Sequence, residues 1–301
     1  MPQLAASKNK HKHNCAIEFD AIGTSWRIEL YSNSSEAAID ELKRTILFRI
    51  EEFDSIYSRF RSDSLVTKIS QKAGTYKFPS DSNELFNFYK DLYDETSGRF
   101  TPLIGATLEQ AGYNADYSFK QTEIDIVPKW HEAMSFKNYT LTTMRPVTLD
   151  FGAAGKGYLV DIVSSILSDH GIGIYCVNAS GDIYYKTNTD TKLEVALEDP
   201  SDFKLAIGTA LLKNSSICGS ATNRRKWGDY NHIFDPETNT SVNVVSACWV
   251  SADKAIVADG LATASFLSSP ETLRKKYDFS YVRLMSDGLA EVSDNFDGNL
   301  F

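Results

Sequence analysis

Residues 148–166 read TLDFGAAGKGYLVDIVSSI, and the order of residue types here decides the local fold. A short strand-like run ends at Asp150, a turn of small residues follows (Gly152, Ala153, Ala154, Gly155), and Lys156-Gly157 opens an amphipathic helix. Leu159, Ile162, Val163, Ile166 and Leu167 recur at helical spacing, and Gly171 stands where a helix stops. A glycine-rich turn feeding a helix N-terminus presents unpaired backbone N–H groups and a favourable dipole, the usual means of holding a phosphate. Lys156 sets a cation beside that cradle and Asp150 a carboxylate. The stretch is not a P-loop, because Gly rather than Ser or Thr follows the lysine and the upstream glycines are misplaced. Two readings stand side by side: a phosphate site, or tight strand–helix packing that also demands small residues.

Working outward, the 301 residues are enough for a sizeable core, and the net charge of -9 argues against wholesale binding of nucleic acid or an anionic membrane. The four cysteines (Cys15, Cys176, Cys218, Cys248) form no C-x-x-C pair, the pattern of reduced, buried thiols. The N-terminus, MPQLAASKNKHKHN, has no apolar segment of the signal-peptide kind, and no run approaches transmembrane length. The expectation is therefore a cytoplasmic protein with a tail over 1–16, in which His11 and His13 belong to a basic segment, and a single domain over 17–301.

Trp26, Ile28 and Leu30 alternate with polar residues after the turn Ile22-Gly23-Thr24, predicting a half-buried strand. Ile39, Leu42, Ile46, Ile50 and Phe53 trace one face of a long helix over about 35–60. Asp81 with Glu84 reads as a capping box for a second helix, buried through Leu85, Phe88, Tyr89, Leu92 and Tyr93 and stopped by Gly98. Short strands are expected at 124–127 and 139–142. Two more, 172–178 and 183–185, meet at the turn Ser180-Gly181-Asp182. Others are expected at 193–197, 205–211, 242–250 and 281–285, with a helix over 252–267. Because strands and helices do not strictly alternate, the pattern favours an α+β fold over a doubly wound sheet.

Three further groups carry candidate chemistry. Asp259 and Thr263 lie four apart in AIVADGLATASF, which on a helix puts a carboxylate and a hydroxyl on one face. A hard cation such as Mg²⁺ takes few oxygen ligands from protein and the rest from water and phosphate. The competing reading is a helix-capping Asp and a Thr bonded to its own backbone. His232, in NHIFDP, is a partly buried imidazole able to move a proton near neutral pH, or a structural histidine. Residues 218–226, CGSATNRRK, offer hydroxyls and three cations to an anionic ligand, or form a solvated loop.

Taken in order, IGTSWRI, SGRFTPLIGATL, LDFGAAGKGYLVD, VNASGDIYY, the SA-T-N-R-R loop, NHIFDPETN and ADGLATA resemble the ApbE family of FAD:protein FMN transferases, over about 22–267. The strongest segments are Asp150-x-Gly152-Ala153-x-x-Lys156-Gly157-Tyr158-x-x-Asp161, and His232-x-x-Asp235-Pro236-x-Thr238 followed by Ala258-Asp259-Gly260-x-x-Thr263.

The resemblance implies a mixed sheet with helices packed around it, FAD in a cleft between lobes, and Mg²⁺-dependent cleavage of the FAD pyrophosphate. FMN would pass to a Thr or Ser hydroxyl of a target protein and AMP would be released. By position, Asp259 and Thr263 match side-chain Mg²⁺ ligands, and the carbonyl of Ala153 a further one. Ile22, Phe60, Arg99, Phe100, Thr101, Asp150, Lys156 and Phe234 match FAD-contacting positions, and His232 the histidine that deprotonates the acceptor. The acceptor partner would carry a Ser/Thr-Gly-Ala-Ser/Thr motif, which this chain lacks. The chain departs from the family at Thr101, where Asp is common, at Ala179-Ser180 in place of Gly-Gly, and at Ser220-Ala221 in place of Ser-Gly. A hydrolase giving FMN and AMP, and a flavin binder without turnover, are the alternatives.

Overall fold

A computed structural model describes residues 15–32 and 34–301. The chain opens with a hairpin of β1 (Cys15–Ala21) and β2 (Thr24–Leu30), paired from Cys15↔Leu30 to Ala21↔Thr24. Its two turn residues, Ile22 and Gly23, both have positive φ (47° and 71°), as a two-residue hairpin matching the strand twist requires. Trp26, Ile28 and Leu30 of β2 are buried, while Arg27 and Glu29 pair with one another at 2.9 Å on the other face, which is the alternation read from sequence.

Helix α1 (Glu36–Tyr57) is capped by the Ser35 hydroxyl, which accepts from Ala38 N–H at 3.3 Å, and buries Leu42, Ile46, Ile50, Phe53 and Tyr57. After α2 (Leu65–Gln71) and β3 (Thr75–Lys77) comes α3 (Ser82–Glu95). The expected capping box is not formed there. Asp81 makes no side-chain cap bond, because its carboxylate pairs with Arg49 of α1, and Glu84 reaches Lys254 at 2.6 Å instead. Gly98 (φ 90°) does end the turn after α3, its N–H reaching back to Tyr93 O at 2.7 Å.

A 3₁₀ turn (Pro102–Ile104) leads into α4 (Gly105–Gln110), and α5 (Trp130–Ala133) precedes β4 (Met134–Lys137) and β5 (Thr140–Thr143). The strand expected at 124–127 is irregular chain. Helix α6 (Gly155–Asp169) follows, then β6 (Tyr175–Ala179), β7 (Asp182–Lys186), β8 (Leu193–Glu198), β9 (Ala206–Leu212) and β10 (Ser215–Ala221). Strands β1 and β10 were not read from sequence, and Cys218–Ala221 thus belongs to a strand rather than a loop. Two short ladders come next, β11 (Lys226–Trp227) with β12 (Tyr230–Asn231), and β13 (Phe234–Asp235) with β14 (Thr240–Ser241). The chain ends with β15 (Val245–Ala252), α7 (Ala255–Ala264), α8 (Pro270–Leu273), β16 (Ser280–Met285), β17 (Ala290–Val292) and β18 (Gly298–Leu300).

The architecture is α+β. An eight-stranded sheet has the order β1-β2-β6-β7-β10-β15-β16-β17, and every neighbouring pair in it is antiparallel. Tyr175, Val177 and Ala179 of β6 join the main core with α1, α3, α6 and α7, whereas Cys176 between them faces the second core. That second core is closed by Leu193, Val195, Leu197, Ala210 and Leu212 of the small sheet β18-β9-β8. A large sheet with helices on one face and a small sheet on the other follows from the two-residue period of its strands. Among the described residues, no helix is long and apolar enough to cross a membrane.

Candidate active site

The decisive stretch forms the expected turn and helix. Asp150 closes the turn on itself, accepting from Gly152 N–H at 2.7 Å, and receives Arg59 Nε at 2.5 Å. Burial alone would raise its pKa, but the charge and hydrogen bond of Arg59 and the Gly152 N–H overturn that and hold the carboxyl ionised. The N-cap residue of α6, Ala154, supplies no side-chain cap; the Gly155 N–H goes to the Phe151 carbonyl at 2.7 Å and the Gly157 N–H to a carboxylate of a neighbouring helix. The glycines divide the two sequence readings. A Cβ on Gly157 would lie 2.2 Å from Ala255 O and 2.7 Å from Asp259 Cβ, so tight packing dictates this one. A Cβ on Gly155 would find ordinary contacts at 3.5 Å and beyond, leaving the first turn itself free of that demand.

Helix α7 lies against that contact and carries Asp259, which is buried in mid-helix rather than at a cap. Its Oδ2 accepts from Gly157 N–H of α6 at 2.8 Å. Burial and the Asp182 carboxylate push its pKa far above the usual range, against Lys156, the Gly157 N–H and Arg225. Lys156 reaches Asp182 at 2.8 Å, and although burial opposes its charge, Asp182 and Asp259 raise its pKa and keep it protonated. Two carboxylates thus share one ammonium, which leaves the cluster short of positive charge. One turn on from Asp259, the Thr263 hydroxyl lies 2.9 Å from the Ser220 hydroxyl of β10.

This donor set, a buried carboxyl with the Thr263 and Ser220 hydroxyls one turn on, fits a hard divalent cation, whose charge would favour the ionised form of Asp259. Among the described residues there is no cluster of three or more His, Cys, Asp or Glu of metal-binding geometry. A site with so few protein ligands suits Mg²⁺, which keeps several waters and takes phosphate oxygens, rather than a dedicated cage.

His232 lies between β12 and β13, its backbone N–H bonded to Arg225 O at 3.2 Å. Its Nδ1 is buried with no hydrogen-bond partner. Burial and the Arg225 guanidinium push its pKa down to about 4, while the fields of Asp150 and Lys156 also reach it. The ring is therefore neutral at pH 7.

Phe234 is buried in a small core with Leu108, Ala111, Tyr113 and Trp227, against which Phe60 packs. The Phe60 ring lies parallel to Tyr117 at 5.7 Å, under the Arg59 guanidinium at 4.2 Å. Ile22 sits in the β1–β2 turn, a β-branched residue at positive φ, which is a strained placement. The segment 99–101 is engaged in structure. Arg99 pairs with Asp235 and the Leu267 carbonyl, the Phe100 ring is 2% exposed against Tyr89, and the Thr101 hydroxyl caps the 3₁₀ turn at Leu103 N–H. Asp150, Lys156, His232, Asp259 and Thr263 are thus brought to one place. Phe60 and Phe234 share an adjoining aromatic cluster, and Arg99 ties 99–101 to the HIFDP motif.

Arg59 and Asp182 were missed by sequence reasoning, whereas Ser220 and Arg225 lie in the segment 218–226 that it offered to an anionic ligand. Asp182 follows the turn Ser180-Gly181 in a segment already singled out, and that was a usable signal. Nothing local joins Arg59 to Asp150, 91 residues away.

The ApbE family profile matches residues 22–280, and the chain belongs to the ApbE family. The FAD:protein FMN transferase of Vibrio cholerae is 23% identical over 291 residues, spanning 89% of this chain and 85% of the relative. That of Buchnera aphidicola is 22% identical over 280 residues, spanning 85% and 81%. Among solved structures, the ApbE protein of Thermotoga maritima superposes with a TM-score of 0.81 at 22% identity, covering 93% of this chain and 97% of that one. The Vibrio cholerae flavin transferase ApbE gives 0.78 at 20% identity with the same coverage. These structural likenesses establish a shared fold.

Proposed function

We propose that the chain is an Mg²⁺-dependent FAD:protein FMN transferase, moving FMN from FAD to a Thr or Ser hydroxyl of a target protein and releasing AMP. Membership of the family and the names of its relatives support the activity. The single observation that supports the reading for this chain is the grouping of Lys156, Asp259 and a neutral His232 around the first turn of α6, where Asp259 accepts from Gly157 N–H and the fields of Asp150 and Lys156 reach His232.

The Lys156 ammonium, at the positive end of the α6 dipole, binds and orients the pyrophosphate. Ile22, Phe60 and Phe234 supply apolar and aromatic surface for the flavin end, with Arg99, Phe100 and Thr101 shaping the pocket behind them. Asp259, Thr263 and the Ala153 carbonyl would hold Mg²⁺, which when bound neutralises phosphate charge. His232 takes the acceptor hydroxyl's proton on its neutral imidazole. The hydroxyl oxygen bonds to the FMN phosphorus, the bond from that phosphorus to the bridging oxygen breaks, and AMP leaves with the bridging oxygen.

The test is AMP release from FAD and Mg²⁺, with and without an acceptor domain bearing a Thr-Gly-Ala-Thr motif. Release that requires the acceptor, with FMN covalently attached to it by mass, is the expected result. Equal release without acceptor makes the chain a pyrophosphatase, and no release in either arm makes it a flavin binder.

A further inference from the structure

Two helices in this protein cap one another. The N-cap position of α7 is Lys254, which gives no side-chain cap and directs its ammonium to Glu84 at 2.6 Å. The first N–H groups of α7 go instead to a side chain of α6: Asp161 Oδ1 accepts from Ala255 N–H at 2.8 Å, and Oδ2 from Ile256 N–H at 2.9 Å. The reverse bond runs from Gly157 N–H of α6 to Asp259 Oδ2 of α7 at 2.8 Å. In each helix the carboxylate stands one turn after the donor, 157 before 161 and 255 before 259. The crossing between them is so close that Gly157 has no room for a Cβ.

We infer that Asp161 is a positioning residue of the reaction: by holding both leading N–H groups of α7 it fixes the helix that carries Asp259 and Thr263, and so sets the geometry of the divalent-cation site. The inference rests on the functional reading above, in which those two residues are ligands. Serine or threonine would cap one N–H without charge, whereas a carboxylate holds two and so fixes the helix in rotation as well as along its axis. Asp161 is half-buried, and burial outweighs its two N–H bonds to lift its pKa to about 6, with Glu84 adding to the rise and Lys254 opposing it. The ionised cap is therefore held against a desolvation cost, which a group needed only to end a helix would avoid. Partners that orient a ligand are worth roughly 10–100-fold in metal affinity when removed.

The probe is Mn²⁺ in place of Mg²⁺, titrated into the full chain with saturating FAD and followed by its electron paramagnetic resonance signal. AMP release is measured in parallel, for wild type, Asp161→Asn and Asp161→Ala. The expected result is an Mn²⁺ Kd weakened roughly 10–100-fold in Asp161→Ala and less in Asp161→Asn, which keeps one acceptor oxygen, with unchanged stoichiometry in both. Variants that bind fewer Mn²⁺ ions at wild-type affinity would show a role in stability alone and overturn the inference. So would wild-type affinity at full stoichiometry, or failure of both variants to fold. A wild-type protein that neither takes up Mn²⁺ nor releases AMP removes the functional reading itself, a result distinct from any difference among the variants.

Discussion

Gly155 and Gly157 stand two residues apart in the first turn of α6, yet substitution by alanine is expected to act in opposite directions. At Gly157 the new methyl would lie 2.2 Å from Ala255 O, 2.6 Å from Ala255 C and 2.7 Å from Asp259 Cβ. Two of these are backbone atoms, so α7 must move as a body. Overpacking of this kind costs about 1–3 kcal/mol. Alanine returns about 0.5–1 kcal/mol through the helix backbone. The contact is at the severe end, so a net loss of about 2 kcal/mol is expected for Gly157→Ala, enough to lower Tm by several degrees. At Gly155 the methyl would meet Phe53 Cζ at 3.5 Å and Phe151 Cβ at 3.6 Å, both ordinary contacts. Gly155→Ala should therefore be neutral or stabilising by about 0.5 kcal/mol. Urea denaturation followed by tryptophan fluorescence measures both, and Mn²⁺ binding should weaken only in Gly157→Ala, because the displaced helix carries Asp259. Equal stability of the two variants would refute the close-crossing argument.

Three further outcomes are expected. Asp259→Ala should abolish divalent-dependent AMP release without unfolding the protein, and Thr263→Ala should be milder because a neutral hydroxyl contributes less; full activity of Asp259→Ala at low Mg²⁺ would return the residue to a purely structural role. His232→Ala should slow single-turnover transfer about 10²–10⁴-fold with FAD binding nearly unchanged. Because burial depresses the folded pKa of His232 to about 4, the unfolded chain binds its proton first, so wild-type stability should fall relative to the variant as pH drops from about 6.5 to 4. Denaturation curves across that window that run parallel for the two proteins would contradict this. All four thiols are free, with Cys176, Cys218 and Cys248 buried and their pKa values raised by burial, so a thiol reagent should label Cys15 alone in the native protein and all four in denaturant; rapid native labelling of more than one would contradict the packing.

The sequence by itself determined the elements whose signals are local. The alternation Trp26, Ile28, Leu30, the face of α1, the small-residue turn into α6 and the stop at Gly98 each depend on side chains within one or two turns of chain. The order of motifs also supplied the candidate residues Lys156, His232, Asp259 and Thr263, whose roles are proposals. Only tertiary structure decided the rest. Asp81 and Glu84 left their capping box for Arg49 and Lys254, because partners from other helices compete with a local cap for the same carboxylates. Arg59 found Asp150, Arg99 found Asp235, and Asp161 found α7 across separations of 91, 136 and 94 residues, where no periodicity exists to be read. Whether a glycine serves a cradle or a contact was equally hidden. Gly155 and Gly157 are the same letter in the same turn, and only the position of the Ala255 carbonyl tells them apart.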